Sequence, residues 1–316
     1  MTRATARVRV RACAKINLTL RVLGIRADGY HELRTTFQSL ALHDTLTFAA
    51  APGPFRIISN DPDCPTDQSN LVWKAAARLW NAAGRPGDPY GVTVRITKRV
   101  PVQAGLGGGS SDAAAALRAL RALWGLEVAD ERLEDIGRDL GADVAFFLTG
   151  GTVLGVERGD LLFPLVDAPR AWVVLARPDF GVGTKDAYVW WDAAWHAVGA
   201  SAAGSSPGRG SRKDEWTNDL QGPVVERHPR ILRLVRSLTR SGAQFAAMSG
   251  SGSAVFGLFP DKVTAERAAA SLRSRTVSTW VTRTTTRDEH ERASGLARVP
   301  PHRLPLPFAP RGLGHS

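Results

Sequence analysis

Four glycines crowd five positions, Gly105, Gly107, Gly108 and Gly109 around Leu106, and Ser110, Ser111 and Asp112 follow at once. Such a run leaves backbone N–H groups uncovered. An alanine- and leucine-rich stretch continues from it to Trp124, so the loop feeds a helix whose first-turn N–H groups are unpaired and carry the positive dipole end. A polyphosphate is the ligand this arrangement suits, and Ser111 beside it could offer a hydroxyl to Mg²⁺. Asp143 is a single carboxylate leading the apolar run Val144–Leu148. It reads as an N-cap, as a carboxylate in a low-polarity wall with raised basicity, or as both. Lys15 and Asn17 interrupt an apolar stretch, which a strand with one solvated face would explain. Tyr30 and His31 follow a turn at Asp28-Gly29 and are either packing residues or a stacking face with a hydrogen-bonding ring beside it. A phosphate loop, a lysine and a semi-buried aspartate together suit phosphoryl transfer to an alcohol.

Other phosphate and metal signatures do not fit. No Gly-Lys-Ser/Thr follows the glycines, so the loop is not a Walker A motif. Ser110 occupies the third glycine position of the dinucleotide fingerprint. Asp179-Phe180-Gly181 spells a protein-kinase tripeptide without an upstream His-Arg-Asp loop. The seven histidines are scattered and His31-Glu32 lacks a second histidine at zinc-protease spacing, so any Mg²⁺ would come with the phosphates rather than in an all-protein cage.

The elements that must hold these groups can be read from periodicity. Residues 7–23 and Thr36 to Phe48 read as strands, and 91–97 alternates as a strand leading into the loop. Residues 70–80 read as a helix with Trp73, Ala76, Ala77 and Trp80 on one face, and Ser111 to Trp124 as a helix with Arg118 and Arg121 outward. Asp130 is expected to cap a further helix that Gly141 ends, and a hairpin turns near Arg158-Gly159-Asp160. Thr184 is expected to cap a helix carrying Tyr188, Trp190, Trp191 and Trp195. Residues 223–241 read as one amphipathic helix. Strands 243–248 and 254–259 flank Ser249–Ser253, followed by a helix at 261–274 and a strand at 277–286.

A chain of 316 residues can bury a sizeable core. Two cysteines are too few for a disulfide framework. No window is apolar enough to span a membrane and the N-terminus lacks a secretory h-region, so a cytoplasmic protein is expected. Part of the net charge of +11 lies in two stretches: residues 283–316 hold six Arg against three Asp/Glu, and residues 199–214 hold Arg209, Arg212 and Lys213 against Asp214. Without an aromatic RNA-binding motif or a zinc-finger pattern, the charge implies general attraction to polyanions and no specific nucleic acid. Oligomeric state is not readable.

Three segments in this order resemble the GHMP kinase superfamily: Ala14-Lys-Ile-Asn-Leu18, Gly105-Leu-Gly-Gly-Gly-Ser-Ser-Asp112 and Ser249-Gly-Ser-Gly-Ser253. Asp28-Gly-Tyr-His-Glu-Leu33, Gly141-Ala-Asp-Val144 and Thr184 with Tyr188 make the chain most similar to the branch whose acceptor is a cytidine diphosphate derivative of methylerythritol. The resemblance covers about residues 8–286 and implies an α+β, two-domain fold, with a ribosomal-S5-like N-terminal domain (1–165) and a ferredoxin-like C-terminal domain (166–287). A flexible insertion is expected at about 199–214 and a disordered basic tail at 288–316.

The resemblance also implies roles. Asp143 would be the base acting on the C2 hydroxyl, with Lys15 beside it and Asn17 holding the acceptor, alongside Thr184. Tyr30 and Tyr188 would sandwich the cytosine and His31 would read its edge. Gly105, Leu106, Gly107, Gly108, Gly109, Ser110 and Ser111 would wrap the phosphates of ATP, with Asn70 and Lys98 near the adenosine. Gln103 departs from the small residue common before the loop, and Ala145 from a frequent proline. Alternatives are a GHMP kinase for another small alcohol, of the homoserine or mevalonate type, and a non-catalytic nucleotide-binding protein.

Overall fold

The computed structural model describes residues 7–199 and 217–295. Two sheets organise them. The first contains β1 (Arg7–Ile25), β2 (His31–Pro54), β3 (Arg56–Ser59), β4 (Tyr90–Thr97), β5 (Thr152–Glu157) and β6 (Leu161–Pro164). β1 and β2 form a long antiparallel hairpin. On its other edge, β2 pairs with β5 through residues 33–38 and with β4 through residues 45–54. One strand therefore serves three neighbours. Four helices belong to this half: α1 (Leu71–Ala82), α2 (Gly108–Trp124), α3 (Asp130–Leu140) and α4 (Ala142–Thr149). α2 packs on β1, β2, α1 and α4.

The chain leaves this sheet at Pro164 and enters the second at Trp172, with β7 (Trp172–Pro178). After α5 (Thr184–Gly199), α6 (Gln221–Arg227) and α7 (Pro229–Arg240) come β8 (Phe245–Met248), β9 (Val255–Phe259), α8 (Lys262–Leu272) and β10 (Val277–Arg283). The strand order β10-β7-β9-β8 is antiparallel throughout. Taken with α7 and α8, it is the expected ferredoxin-like arrangement, with α5 and α6 added ahead of α7.

Side-chain alternation explains how the halves join. Val174, Ala176, Val255 and Phe259 face a core shared with α7 and α8, whereas Val173, Leu175, Phe256 and Leu258 face Ala14, Ile16, Leu18 and Leu40 of the hairpin. β7 is thus covered on both faces and reads as a continuous apolar run. Lys15 and Asn17, on the opposite face of β1, are each 3% exposed, so that face is not solvated either. They lie instead against the phosphate loop and α4. Register shifts between Cys13 and Lys15 and between Asn17 and Thr19 bend the strand there.

Several expectations are corrected. The helix expected at 223–241 is two, because Pro229 lacks an N–H and pushes His228 out of the helical region (φ −128°, ψ 71°). The buried face of α1 is Val72, Ala75, Ala76 and Leu79, one residue back from the face expected, with Trp73 and Trp80 on its border. α2 starts at Gly108 rather than Ser111, and Arg118 does not face water: it donates to Leu148 O and to Ser294 Oγ (3.4 Å). Ala129 is the cap of α3, and Asp130 is its first helical residue. Residues 288–293 are not part of a disordered tail. They belong to α9 (Arg287–Ala293), where Thr286 and Glu289 form a capping box and His290 is buried, donating from Nε2 to Phe147 O at 3.0 Å. α9 crosses back to pack on β1 and β2. The 199–214 insertion beyond Gly199, and the tail from 296, lie outside the described residues. Among the described residues no helix is long and apolar enough to cross a membrane.

Candidate active site

The phosphate loop is held from both halves. Gly105 and Gly107 take φ of +74° and +71°, where a glycine avoids a side-chain penalty. A Cβ on Gly105 would stand 2.2 Å from Ser249 O, and one on Gly107 would meet the Phe147 ring at 2.7 Å. Ser249 Oγ donates to Gly105 O (3.0 Å), and Lys15 N to Leu106 O (3.0 Å). Asn218 Nδ2 ties Met248 O and Gly250 O together (2.9 and 2.7 Å). Gly107 then caps α2, whose N-terminus opens onto a cavity.

That cavity, about 590 Å³, is lined by the loop, Asn70, Lys98, Gln103, Asp112 and Gly183. Its glycine wall, which has no room for a side chain at Gly105 or Gly107, fits the phosphates of a nucleotide. Asn70 and Lys98 are both here, yet their polar atoms are engaged in building the wall. Asn70 caps α1, accepting from Val72 N (2.8 Å), and donates to Pro65 O (2.5 Å). The Lys98 ammonium is locked between Asp44 (2.5 Å) and Asp112 (2.8 Å). Burial pulls that ammonium down, but the two carboxylates outweigh it and hold its pKa above the ordinary range. Burial likewise pushes the Asp112 carboxyl up, against the pull of Lys98. Gln103 adopts a φ of 53°, a left-handed conformation that carries a steric penalty for any residue with a Cβ.

A second cavity of about 820 Å³ is lined by Lys15, Asn17, Tyr30, His31, Thr35, Phe37, Tyr188 and Asp192. Gly105, Ser110, Asp143, Thr184 and Ser251 line both cavities, so the two meet at these residues. Asp143 stands at the meeting point. It is the second residue of α4, whose N-cap is Gly141 without a side-chain bond, so the capping role is not taken up. Nor is it immersed in the apolar wall: its neighbours Val144–Leu148 are buried, but its own side chain is 34% accessible and pairs with Lys15 Nζ at 3.5 Å. Lys15 also donates to Asn17 Oδ1 (2.6 Å), and Asn17 Nδ2 to Thr35 Oγ1 (2.7 Å), which in turn donates to Thr19 O (2.7 Å). This relay fixes the lysine. Thr184 begins α5 with its hydroxyl 3.1 Å from that of Ser251, and Gly183 O, not Thr184, accepts the first bond of the helix, from Ala187 N.

In the second cavity, His31 stacks on Tyr188 (centroids 4.5 Å apart, 26°) and meets the edge of Trp191. Burial and the charge of Asp143 raise the Tyr188 phenol. Tyr30 is 58% exposed, with Arg158 5.4 Å over its ring. Tyr30 and Tyr188 line the same cavity, though His31 already covers one face of Tyr188. Ser111 is turned elsewhere: it lines a small closed pocket of about 10 Å³ with Cys13, Phe147 and His290. Adjacent helical residues point about 100° apart, so Ser110 carries the hydroxyl that faces both cavities. Among the described residues no three His, Cys, Asp or Glu side chains cluster as a metal cage. Sequence reasoning missed Thr35, Asp44, Ser251 and Asp192. For Asp192 a signal existed, since it lies one helical turn beyond Tyr188 as Tyr188 does beyond Thr184.

Comparison with known proteins agrees with this architecture. Residues 70–151 match the family description "GHMP kinases N terminal domain" and residues 197–278 match "GHMP kinases C terminal". The chain is 41% identical over 281 residues to the 4-diphosphocytidyl-2-C-methyl-D-erythritol kinase of Moorella thermoacetica, covering 86% of this chain and 97% of that protein. It is 39% identical over 275 residues to the same-named enzyme of Gloeobacter violaceus, covering 84% and 90%. A crystal structure of 4-(cytidine 5'-diphospho)-2C-methyl-D-erythritol kinase superposes with a TM-score of 0.70 at 35% identity, covering 88% of this chain and 99% of that one. A homoserine kinase structure from Cytophaga hutchinsonii shares the fold at 19% identity and a TM-score of 0.62, covering 89% and 95%. The chain belongs to the GHMP kinase family of ATP-using small-molecule kinases.

Proposed function

We propose that this protein transfers the γ-phosphoryl group of ATP to the C2 hydroxyl of 4-diphosphocytidyl-2-C-methyl-D-erythritol, giving the 2-phosphate and ADP in non-mevalonate isoprenoid precursor biosynthesis. The observation that carries the reading is Asp143, paired with Lys15 of the aromatic-lined cavity, on the wall which that cavity shares with the glycine-lined one. ATP occupies the first, its phosphates along Gly105–Ser110 and its adenosine toward the end shaped by Asn70 and Lys98. The substrate occupies the second, its cytosine among Tyr30, His31 and Tyr188 and its methylerythritol near Asn17 and Thr184. Homoserine and mevalonate have no base for those rings to hold.

Asp143 takes the proton of the C2 hydroxyl as its oxygen bonds to the γ-phosphorus and the bridging bond to ADP breaks. With its side chain partly open and paired to a cation, its effectiveness comes from position rather than from desolvation. Lys15, fixed through Asn17 and Thr35, orients the hydroxyl and offsets charge on the transferring group. Mg²⁺ bound to the phosphates would supply further neutralisation, and the chain offers it the Ser110 hydroxyl rather than that of Ser111. Residues 1–165 and 166–287 are read as the two domains, with α9 returned to the first. The substrate is a small molecule rather than a nucleic acid, and the setting cytoplasmic. The deciding experiment is ATP-dependent phosphorylation of the cytidine substrate by purified protein beside homoserine and mevalonate. Turnover of the first alone is expected, and none of it would overturn the assignment.

A further inference from the structure

α5 presents Thr184, Tyr188 and Asp192 to the acceptor cavity at four-residue spacing, which aligns them along one helix face. Asp192 Oδ1 lies 2.7 Å from His31 Nε2, with the two side chains 30% and 14% accessible. The ring is engaged on three sides: Tyr188 on its face, Trp191 at an edge and Asp192 at Nε2. An ionised carboxylate can only accept, so Nε2 carries the hydrogen, and in the neutral ring Nδ1 is left as a lone-pair acceptor. No protein group among the described residues bonds to Nδ1, and the residue lines the cavity.

We propose that Asp192 is a positioning residue that fixes the tautomer of His31, so that the site presents an acceptor to the bound base and selects cytosine over uracil. This rests on the cytidine-bearing substrate argued above and adds what distinguishes its base. The two pyrimidines stack alike, so Tyr30 and Tyr188 cannot separate them. They differ at C4, where cytosine offers an amine that donates and uracil a carbonyl that accepts. They differ also at N3, a lone pair in cytosine and an N–H in uracil, so the selection requires Nδ1 to face the C4 group. Against Nδ1, the amine forms a hydrogen bond, whereas the carbonyl sets lone pair against lone pair and leaves the nitrogen unsatisfied. In Asp192→Asn the amide N–H₂ can turn to Nε2 and donate, releasing the ring to carry its hydrogen on Nδ1 and reverse its polarity.

The test combines a spectroscopic and a kinetic arm on the full chain. Imidazole ¹⁵N resonances at pH 8 should show His31 as the neutral Nε2–H tautomer in the wild type and a shifted mixture in D192N. In kcat/KM, the wild type should prefer the cytidine substrate over its uridine-diphosphate counterpart by about 100-fold, and D192N should lower that preference about tenfold. The loss should fall on KM for the cytidine substrate with kcat within about twofold, because Asp192 does not touch the reacting atoms, and Asp192→Glu should restore both preference and spectrum. An Nδ1–H or doubly protonated His31 in the wild type overturns the inference, as does a base preference unchanged in D192N. Wild-type protein that turns over no cytidine substrate overturns the parent reading instead, a result distinct from turnover without base preference.

Discussion

At the scale of single residues, the site depends on where a few charges stand. Asp143→Asn keeps the shape of the carboxylate but cannot take the proton, so kcat should fall about 10³-fold while ATP binding, measured by calorimetry, is retained. Survival of most of the activity would remove Asp143 from the chemistry. The types of these residues were legible in the chain. Asp143, Lys15, Asn17, His31 and Tyr188 all line one cavity. What local reading misjudged was their surroundings. Lys15 and Asn17 read as the wet face of a strand because alternation reports only that a second face exists, and the covering surface comes from the phosphate loop, Asp143 and Gly250, about 90 or more residues away. Ser111 looked as well placed as Ser110 for the same reason, since one position along a helix decides which cavity a hydroxyl faces. Asp44 carried no visible signal. Its function, bonding Lys98 together with the N–H groups of Arg99 and Val100 (2.5 and 2.8 Å), is created by the sheet register.

At the scale of elements, the phosphate loop is a contact between halves as much as a ligand cradle. Gly105→Ala would place a methyl group 2.2 Å from the backbone oxygen of Ser249 at a φ of +74°, a conformation that costs an L-residue about 1–2 kcal/mol before any clash. Backbone cannot step aside as a side chain can. The expected result is a KM for ATP raised at least about tenfold with a lowered melting temperature, whereas Gly109→Ala, whose nearest neighbour is a Leu71 methyl group at 3.8 Å, should be tolerated far better. Element types were largely legible because strands and helices here carry strong local patterns. Ends and faces were less so. α1 hides Val72 and Leu79 rather than its tryptophans because α2 lies against that side, and α9 is invisible to periodicity because seven mostly charged residues have no apolar period. Its order comes from a capping box and one buried histidine.

For the whole molecule, that histidine ties α9 to α4 and makes stability depend on acid. Burial lowers the His290 pKa from 6.5 to about 4, the bond to Phe147 opposing this and the charge of Arg118 adding to it. The folded protein holds the ring neutral, while the unfolded chain would protonate it near its ordinary value. Its contribution is therefore fully present above pH 6.5 and lost as pH falls toward 4, amounting to about 3 kcal/mol across that window. Denaturant melts of the wild type and His290→Leu should show this component in the first and not in the second, and equal slopes would refute it. The two-sheet plan was legible from the order of elements, but the joint between sheets was not, because it is made by the second faces of strands that each half uses for its own core. That joint brings the donor and acceptor cavities to a common wall of Gly105, Ser110, Asp143, Thr184 and Ser251. For inhibitor design the common wall is a splice point. A compound with an adenosine-like head in one chamber and a cytidine-like head in the other could be tethered there, and its second half would bind at the high local concentration set by the first, with the loss of translational freedom incurred once rather than twice.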